Sequence, residues 1–185
     1  MEIEVSAEAK DKRLNRRVAI TVVVLSVATG LCNIKDGNIV QAMEQAQSSS
    51  VDLWNEYQAT KTKQHLAETS RAQIAAVSPD AAKVAPILKG LDADIAKYKA
   101  EAPKLAEQAK AQEAQYDALN IHDDQFDASD AAIATAISIA AVSALAESSW
   151  LLIVAWVFGG FGLFLGLCGF AGWSFHPEVL STLLG

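Results

Sequence analysis

Three apolar stretches are set in an otherwise polar, alanine-rich chain. The longest, Trp150 to Phe175 (WLLIVAWVFGGFGLFLGLCGFAGWSF), holds about 26 residues without one charged side chain. An α-helix needs roughly 20 apolar residues to cross a ~30 Å hydrocarbon core, so this stretch predicts a transmembrane helix. Trp150 and Trp173 lie about 23 residues apart, or ~34 Å of helix, which sets one indole at each headgroup layer. The first stretch, Val18 to Ile34, has about 17 residues, the lower limit for a span. A cleaved signal peptide competes there, because basic residues precede the run and Ala28-Thr29-Gly30 is a passable cleavage site. The long mixed-charge arm over residues 1–17 favours an uncleaved anchor. The second stretch, Ala131 to Ala146, is only moderately apolar. It is separated from the third by Glu147-Ser148-Ser149, so the two read as a helical hairpin with a very short turn. Residues 176–185 form a C-terminal tail.

Small residues recur within these stretches. Ala132, Ala136, Ala140 and Ala144 fall every fourth position, and Gly162 and Gly166 stand in GxxxG spacing with Gly159, Gly169 and Gly172 beside them. Small side chains let helix backbones approach closely, and packing is the main attraction between helices in lipid. Gly162, Gly166, Ala132, Ala136 and Ala140 are therefore the expected helix-packing positions. Packing inside the hairpin is the first reading, and dimerisation through the same glycines the second.

Residues 35–130 form a polar middle with almost no strand signal. From Leu88 the positions Leu91, Ile95, Tyr98, Ala102, Leu105, Ala109, Gln112, Tyr116 and Leu119 follow a 4-3-4-3 spacing, a heptad seam. Ile39, Met43, Ala46, Ser50, Leu53 and Tyr57 step in the same rhythm upstream. The break is Ser78-Pro79-Asp80, where Ser78 can cap a helix and Pro79 suits its first turn. Pro86 and Pro103 interrupt the returning arm, with a kink or restart expected at Pro103. Arms of about 43 and 51 residues fold back on each other as an antiparallel hairpin. Alanine at so many seam positions buries little area, so further helices, from copies of the chain or from another protein, are expected to complete the core.

Charge sets the expected orientation. The net charge is −7, yet Lys10, Lys12, Arg13, Arg16 and Arg17 crowd the N-terminal arm, and no Lys or Arg follows Lys110. Basic residues stay on the cytoplasmic side. Three spans then put residues 35–130 outside the cytoplasm, in the periplasm, with the Glu147 turn inside. Two spans would instead leave the middle cytoplasmic. The acidic balance argues against nucleic acid. Cys32 and Cys168 both fall in apolar runs and read as buried small hydrophobes.

Little of the chain suggests chemistry. The three histidines are scattered, no nucleophile–base pair is visible, and no cofactor or metal set is expected. The densest polar cluster is His122, Asp123, Asp124, Asp127 and Asp130. Asp123, Asp127 and Asp130 share a helical face, which could hold a divalent cation; a solvated acidic collar is the reading we favour. The segment VDLWNEYQATKTKQHLAE, Val51 to Glu68, puts Trp54 and Tyr57 on one face with Gln58 beside them. They are expected to be buried, against the returning arm near Leu105, Ala109 and Gln112. The rival is an aromatic face that docks a partner.

This segment, with an apolar anchor before it and a two-span hairpin closing the chain, resembles a bacterial family of unknown function numbered 4337. Its members carry an Asp-x-Trp-x-x-Tyr-Gln-Ala-Lys type motif after the first span. Asp52, Trp54, Tyr57, Gln58 and Ala59 match it here, with Thr60-Lys61 where the family has Lys directly. The opening MEIEV is also similar. Relatives often have basic residues in the last turn, where this chain has Glu147-Ser148-Ser149. The resemblance implies a bacterial envelope protein and no activity.

The expected fold is an all-α membrane protein with three transmembrane helices and an extramembrane, coiled-coil-like helical hairpin. The expected function is a non-catalytic structural or accessory subunit of the bacterial inner membrane. Its partners would be the lipid bilayer and copies of itself or other membrane-protein subunits. The alternative is a small transporter, channel or envelope sensor component. Such pathways usually need ionisable residues mid-span, and these stretches have none.

Overall fold

The computed structural model describes residues 12–78 and 80–173. Among them the chain is all-helical: α1 (Lys12–Val77), α2 (Ala81–Leu145) and α3 (Ser149–Ala171). Each contains a stretch long and apolar enough to cross a membrane; the stretch in α3 is the most apolar and that in α2 the least.

The apolar stretches and the polar arms are not separate helices. α1 runs without a break from the first stretch through the outgoing arm, and α2 joins the returning arm to the second. α2 is also continuous through Pro86 and Pro103. Each proline forfeits one backbone donor, and neither ends the helix.

The break between α1 and α2 differs from the sequence expectation. A residue before proline is biased away from helical backbone, which stops α1 at Val77 just ahead of Ser78-Pro79. The cap of α2 is Asp80 rather than Ser78. The Lys83 backbone N–H donates to Asp80 Oδ1 at 3.4 Å, and Lys83 Nζ lies 3.3 Å from Asp80 Oδ2. That is an N-cap carboxylate satisfying a first-turn donor.

Three residues, Ala146 to Ser148, join α2 to α3. Glu147 takes left-handed backbone at φ 50°. The turn is closed by Ser148 N–H to the Ser143 carbonyl at 3.1 Å and by Ser143 Oγ–H to the Ser148 carbonyl at 2.9 Å. α3 ends on Gly172 at φ 68°, with Trp173 N–H returning to the Cys168 carbonyl at 3.0 Å. This is a glycine C-cap that stops the helix at Ala171. Ser174 and Phe175, the end of the apolar run, lie outside the described residues, as do residues 1–11 of the basic arm.

The chain divides into two compact units. One comprises the residues up to Gln41 and those from Leu119 onward; the other comprises Ala42–Ala118. The dividing points fall inside the polar middle, so Lys35 to Gln41 and Leu119 to Asp130 belong with the apolar stretches.

Candidate functional site

In the first unit α1, α2 and α3 meet through small residues. Ile133, Ala136, Ala140, Ala155 and Leu165 have no solvent exposure. Leu14, Val18, Ala140, Leu152 and Ala155 form one apolar cluster, and Leu25, Ile133 and Ala136 another. The glycines of α3 set how closely the helices approach. A Cβ on Gly162 would sit 2.7 Å from Ile133 Cγ1, 2.9 Å from the Ser129 carbonyl oxygen and 3.2 Å from Ala132 Cβ. On Gly166 it would meet Cys32 Sγ at 2.9 Å and Ser129 Oγ at 3.1 Å. Gly169 cradles the Phe126 ring, and Gly159 receives the Leu25 methyls. Gly162, Gly166, Ala132, Ala136 and Ala140 are thus brought together inside one chain.

Polar atoms close the same interface. Ser129 Oγ–H donates to the Gly162 carbonyl at 2.7 Å in a buried position. Sequence reading missed this residue, although Ser129 lies one turn before Ile133 on the buried face. Gln125 Nε2 donates to the Trp173 carbonyl at 2.7 Å. The Trp156 indole N–H donates to Thr21 Oγ1 at 2.9 Å, which ties α3 to α1. Phe126 and Phe170 pack edge to face at 5.3 Å. By contrast, Gly30 and Gly37 of α1 and Gly160 of α3 face open space.

In the second unit the seam positions turn inward. Met43, Ala46, Ser50, Ile95, Ala102, Leu105 and Ala109 are buried, and Leu53, Tyr57, Tyr98, Gln112 and Tyr116 are half-buried. Contacts across it pair Ser50 and Trp54 with Glu113, Glu68 with Lys99, and Arg71 with Asp92. As the number rises on α1 it falls on α2, so the two arms run antiparallel within this unit. Trp54 donates its indole N–H to Glu113 Oε1 at 2.7 Å, one residue beyond the expected Gln112.

The aromatic motif is not fully covered. Trp54 and Tyr57 stand edge to face at 5.5 Å. Both are half-buried rather than buried, and Gln58 is exposed. Two alanine-rich helices offer too little surface to enclose an indole. What remains is a groove of about 340 Å³ lined by Ser50, Val51, Trp54, Glu113, Tyr116 and others. Farther along this unit, Glu68 accepts from Gln64 Nε2 and Lys99 Nζ, each at 3.0 Å. The Gln64 hydrogen bond, and after it Lys99, hold its carboxyl down at about 2.

The acidic cluster gains a member that sequence reading did not assign to it. Asp36 of α1 and Asp123 of α2 lie close enough for each to shift the other's carboxyl. Burial, and then Asp36 and Asp127, push Asp123 up to about 6. Asp36 and Asp127 are raised too, again chiefly by burial. A signal was available: Asp36 follows the first apolar stretch by two residues and Asp130 immediately precedes the second. His122 Nδ1 lies 3.1 Å from Gln125 Oε1. Among the described residues no three His, Cys, Asp or Glu side chains form a metal-ligating group.

The fold and these surfaces define a class: an all-helical protein over the described residues, with three helices long and apolar enough to cross a membrane. The family model described as a domain of unknown function, DUF4337, matches residues 14–172, and the chain belongs to that family. No curated protein and no solved structure matches it.

Proposed function

We propose that the chain is a non-catalytic integral protein of the bacterial inner membrane, a structural or accessory subunit that works by helix packing. Residues 18–34, 131–146 and the apolar part of α3 are its spans. The N-terminus is cytoplasmic and the hairpin arms are periplasmic, the orientation favoured by Lys10, Lys12, Arg13, Arg16 and Arg17. One observation carries the reading. Gly159, Gly162, Gly166 and Gly169 of α3 and the alanines opposite them are taken up within the chain, while large apolar side chains remain exposed on the outer faces of its helices. Val23 and Ile34 of α1 and Val157 and Leu167 of α3 are each 62–69% exposed. Exposed apolar surface on this scale marks contact with lipid or with other proteins.

Partner contact then falls on two places that the chain leaves uncovered. One is the Trp54–Tyr57 face with its groove, where half-buried aromatics are the residue type that anchors interfaces. The other is the side of α1 at Gly30, which has open space around it and favours close approach of a second membrane helix. Purification of the full chain in mild detergent tests the reading. We expect a mass above that of one chain, from self-association or from a co-purifying membrane protein. A strictly monomeric chain with nothing bound would refute it.

A further inference from the structure

The groove beside Trp54 holds negative charge that the chain does not neutralise. Glu113 and Asp117 line it from α2, and Ser50, Val51, Trp54 and Tyr116 stand around them. Four residues apart on one helix, the two carboxylates share a face, with roughly 6 Å between their Cβ atoms. Glu113 is held in place by neutral donors, the Trp54 indole N–H at 2.7 Å and Ser50 Oγ–H at 3.4 Å. Among the described residues no Lys, Arg or His pairs with Glu113 or Asp117, and no cation stands over the Trp54 or Tyr116 ring. The imbalance extends through this end of the second unit. Residues 42–60 and 111–118 carry Glu44, Asp52, Glu56, Glu113 and Asp117 and no Lys or Arg, whereas residues 61–110 carry more Lys and Arg than Asp and Glu.

Carboxylates beside aromatic faces select an organic cation: the ammonium charge meets both the acids and the rings, and its carbon chain lies on apolar surface. A hard metal ion wants an oxygen cage, which Val51, Trp54 and the Tyr116 ring do not offer. We propose that this groove binds a linear polyamine, with one ammonium group at Glu113, the next at Asp117 and the polymethylene link between them on Val51 and Trp54. The short links of such molecules match the interval between acids one helical turn apart. The groove is one of the two uncovered places named above, but its ligand is chosen by charge rather than by helix packing. All six residues belong to the second unit, so the proposal does not depend on the orientation in the membrane.

The test is calorimetric titration of spermidine into the full chain, in a nonionic detergent at low salt. We expect saturable binding of one molecule per chain, weakened by about tenfold in Glu113→Gln and in Asp117→Asn, the worth of one charge-assisted contact. Both positions are exposed, and Glu113→Gln keeps an oxygen to accept from Trp54, so the helix signal should stay at the wild-type level. Trp54→Leu removes the ring and should weaken binding severalfold; if it loses helix, the two carboxyl variants decide. Glu56→Gln removes the same charge from an exposed position outside the groove and should bind like wild type. Equal losses from Glu56→Gln and Glu113→Gln, or full displacement of spermidine by magnesium at equal charge, would mean diffuse attraction only and overturn the site. No saturable binding of spermidine, or binding of a lysine-rich peptide in its place, would overturn it as well. None of these results alters the mass of the chain in detergent, so this proposal and the packing role fail separately.

Discussion

The two units solve the same problem, holding long helices side by side, with different chemistry. In the first, three helices surround one another closely enough that Ile133, Ala136, Ala140, Ala155 and Leu165 lose all contact with solvent. Glycine and alanine set the spacing, and single hydrogen bonds such as Ser129 to Gly162 fill the gaps. In the second, two helices pair along one seam, and that seam takes in polar side chains, Ser50, Thr60 and Gln64. Its cross-links are a charge-assisted indole bond and exposed ion pairs, Lys99–Glu68 and Arg71–Asp92. Two cylinders cannot enclose a core, because each seam residue keeps one side open. A third helix closes it, provided its surface is small enough. Side-chain size therefore governs the first unit, and charge and partners govern the second.

The largest effect that would break this comparison is a side chain at Gly162. Gly162→Leu must displace Ile133 and also the Ser129 backbone, which no rotamer change relieves. We expect a loss of about 3 kcal/mol, the upper part of the overpacking range, read as lowered thermal stability in detergent. Gly160→Leu, with open space around it, should unfold like wild type. Equal effects at the two positions would show that size does not govern this unit.

Next is the buried hydroxyl. Ser129→Ala should cost about 1 kcal/mol, the net worth of one hydrogen bond, with a further contribution if the Gly162 carbonyl stays unpaired. In the second unit the corresponding bond is exposed. A double-mutant cycle with Trp54→Phe and Glu113→Gln should give a coupling of at most about 1 kcal/mol. A larger coupling there than at Ser129 would reverse the ranking of the two units.

Acid sharpens the contrast through sign. Glu68 is held below its ordinary 4.5, at about 2. Its contribution is fully present above pH 4.5 and is lost as pH falls toward 2. Asp123 is raised from 3.8 to about 6, so its cost is absent at low pH and grows as pH climbs through 6. Hydrogen exchange resolved by segment should show residues 119–145 better protected at pH 5 than at pH 8. Residues 60–100 should change little over that range and loosen below about pH 4. Parallel behaviour of both segments would refute the division. The smallest effect is at Glu147: Glu147→Gly relieves left-handed backbone and should stabilise by less than about 1 kcal/mol.

Much of this architecture was legible in the chain. The heptad positions from Met43 to Tyr57 and from Leu88 to Tyr116 are the inward ones, because periodicity fixes a helix face whatever packs against it. The small residues of the second and third stretches were legible for the same reason. What escaped was set by contacts between segments. Asp36 looks like a lone polar residue at the end of a span until α2 delivers Asp123 to it. The half-exposure of Trp54 depends on how little surface Ala109 and its neighbours present. The capping role passed from Ser78 to Asp80 because both types cap helices and only backbone geometry chooses between them.

The turn at Glu147 bears on how the protein is made. α2 carries the least apolar of the three stretches and α3 the most, and only Ala146, Glu147 and Ser148 stand between the two helices. On the proposed topology a ribosome presents α2 to the insertion machinery first, when it partitions weakly into lipid by itself. α3 emerges immediately behind it on a tether too short to let the two part company, so the strong helix carries the weak one in. Translation halted before Ser149 would then strand α2 outside the bilayer, and lengthening the turn with a flexible insert would uncouple the pair in the same way.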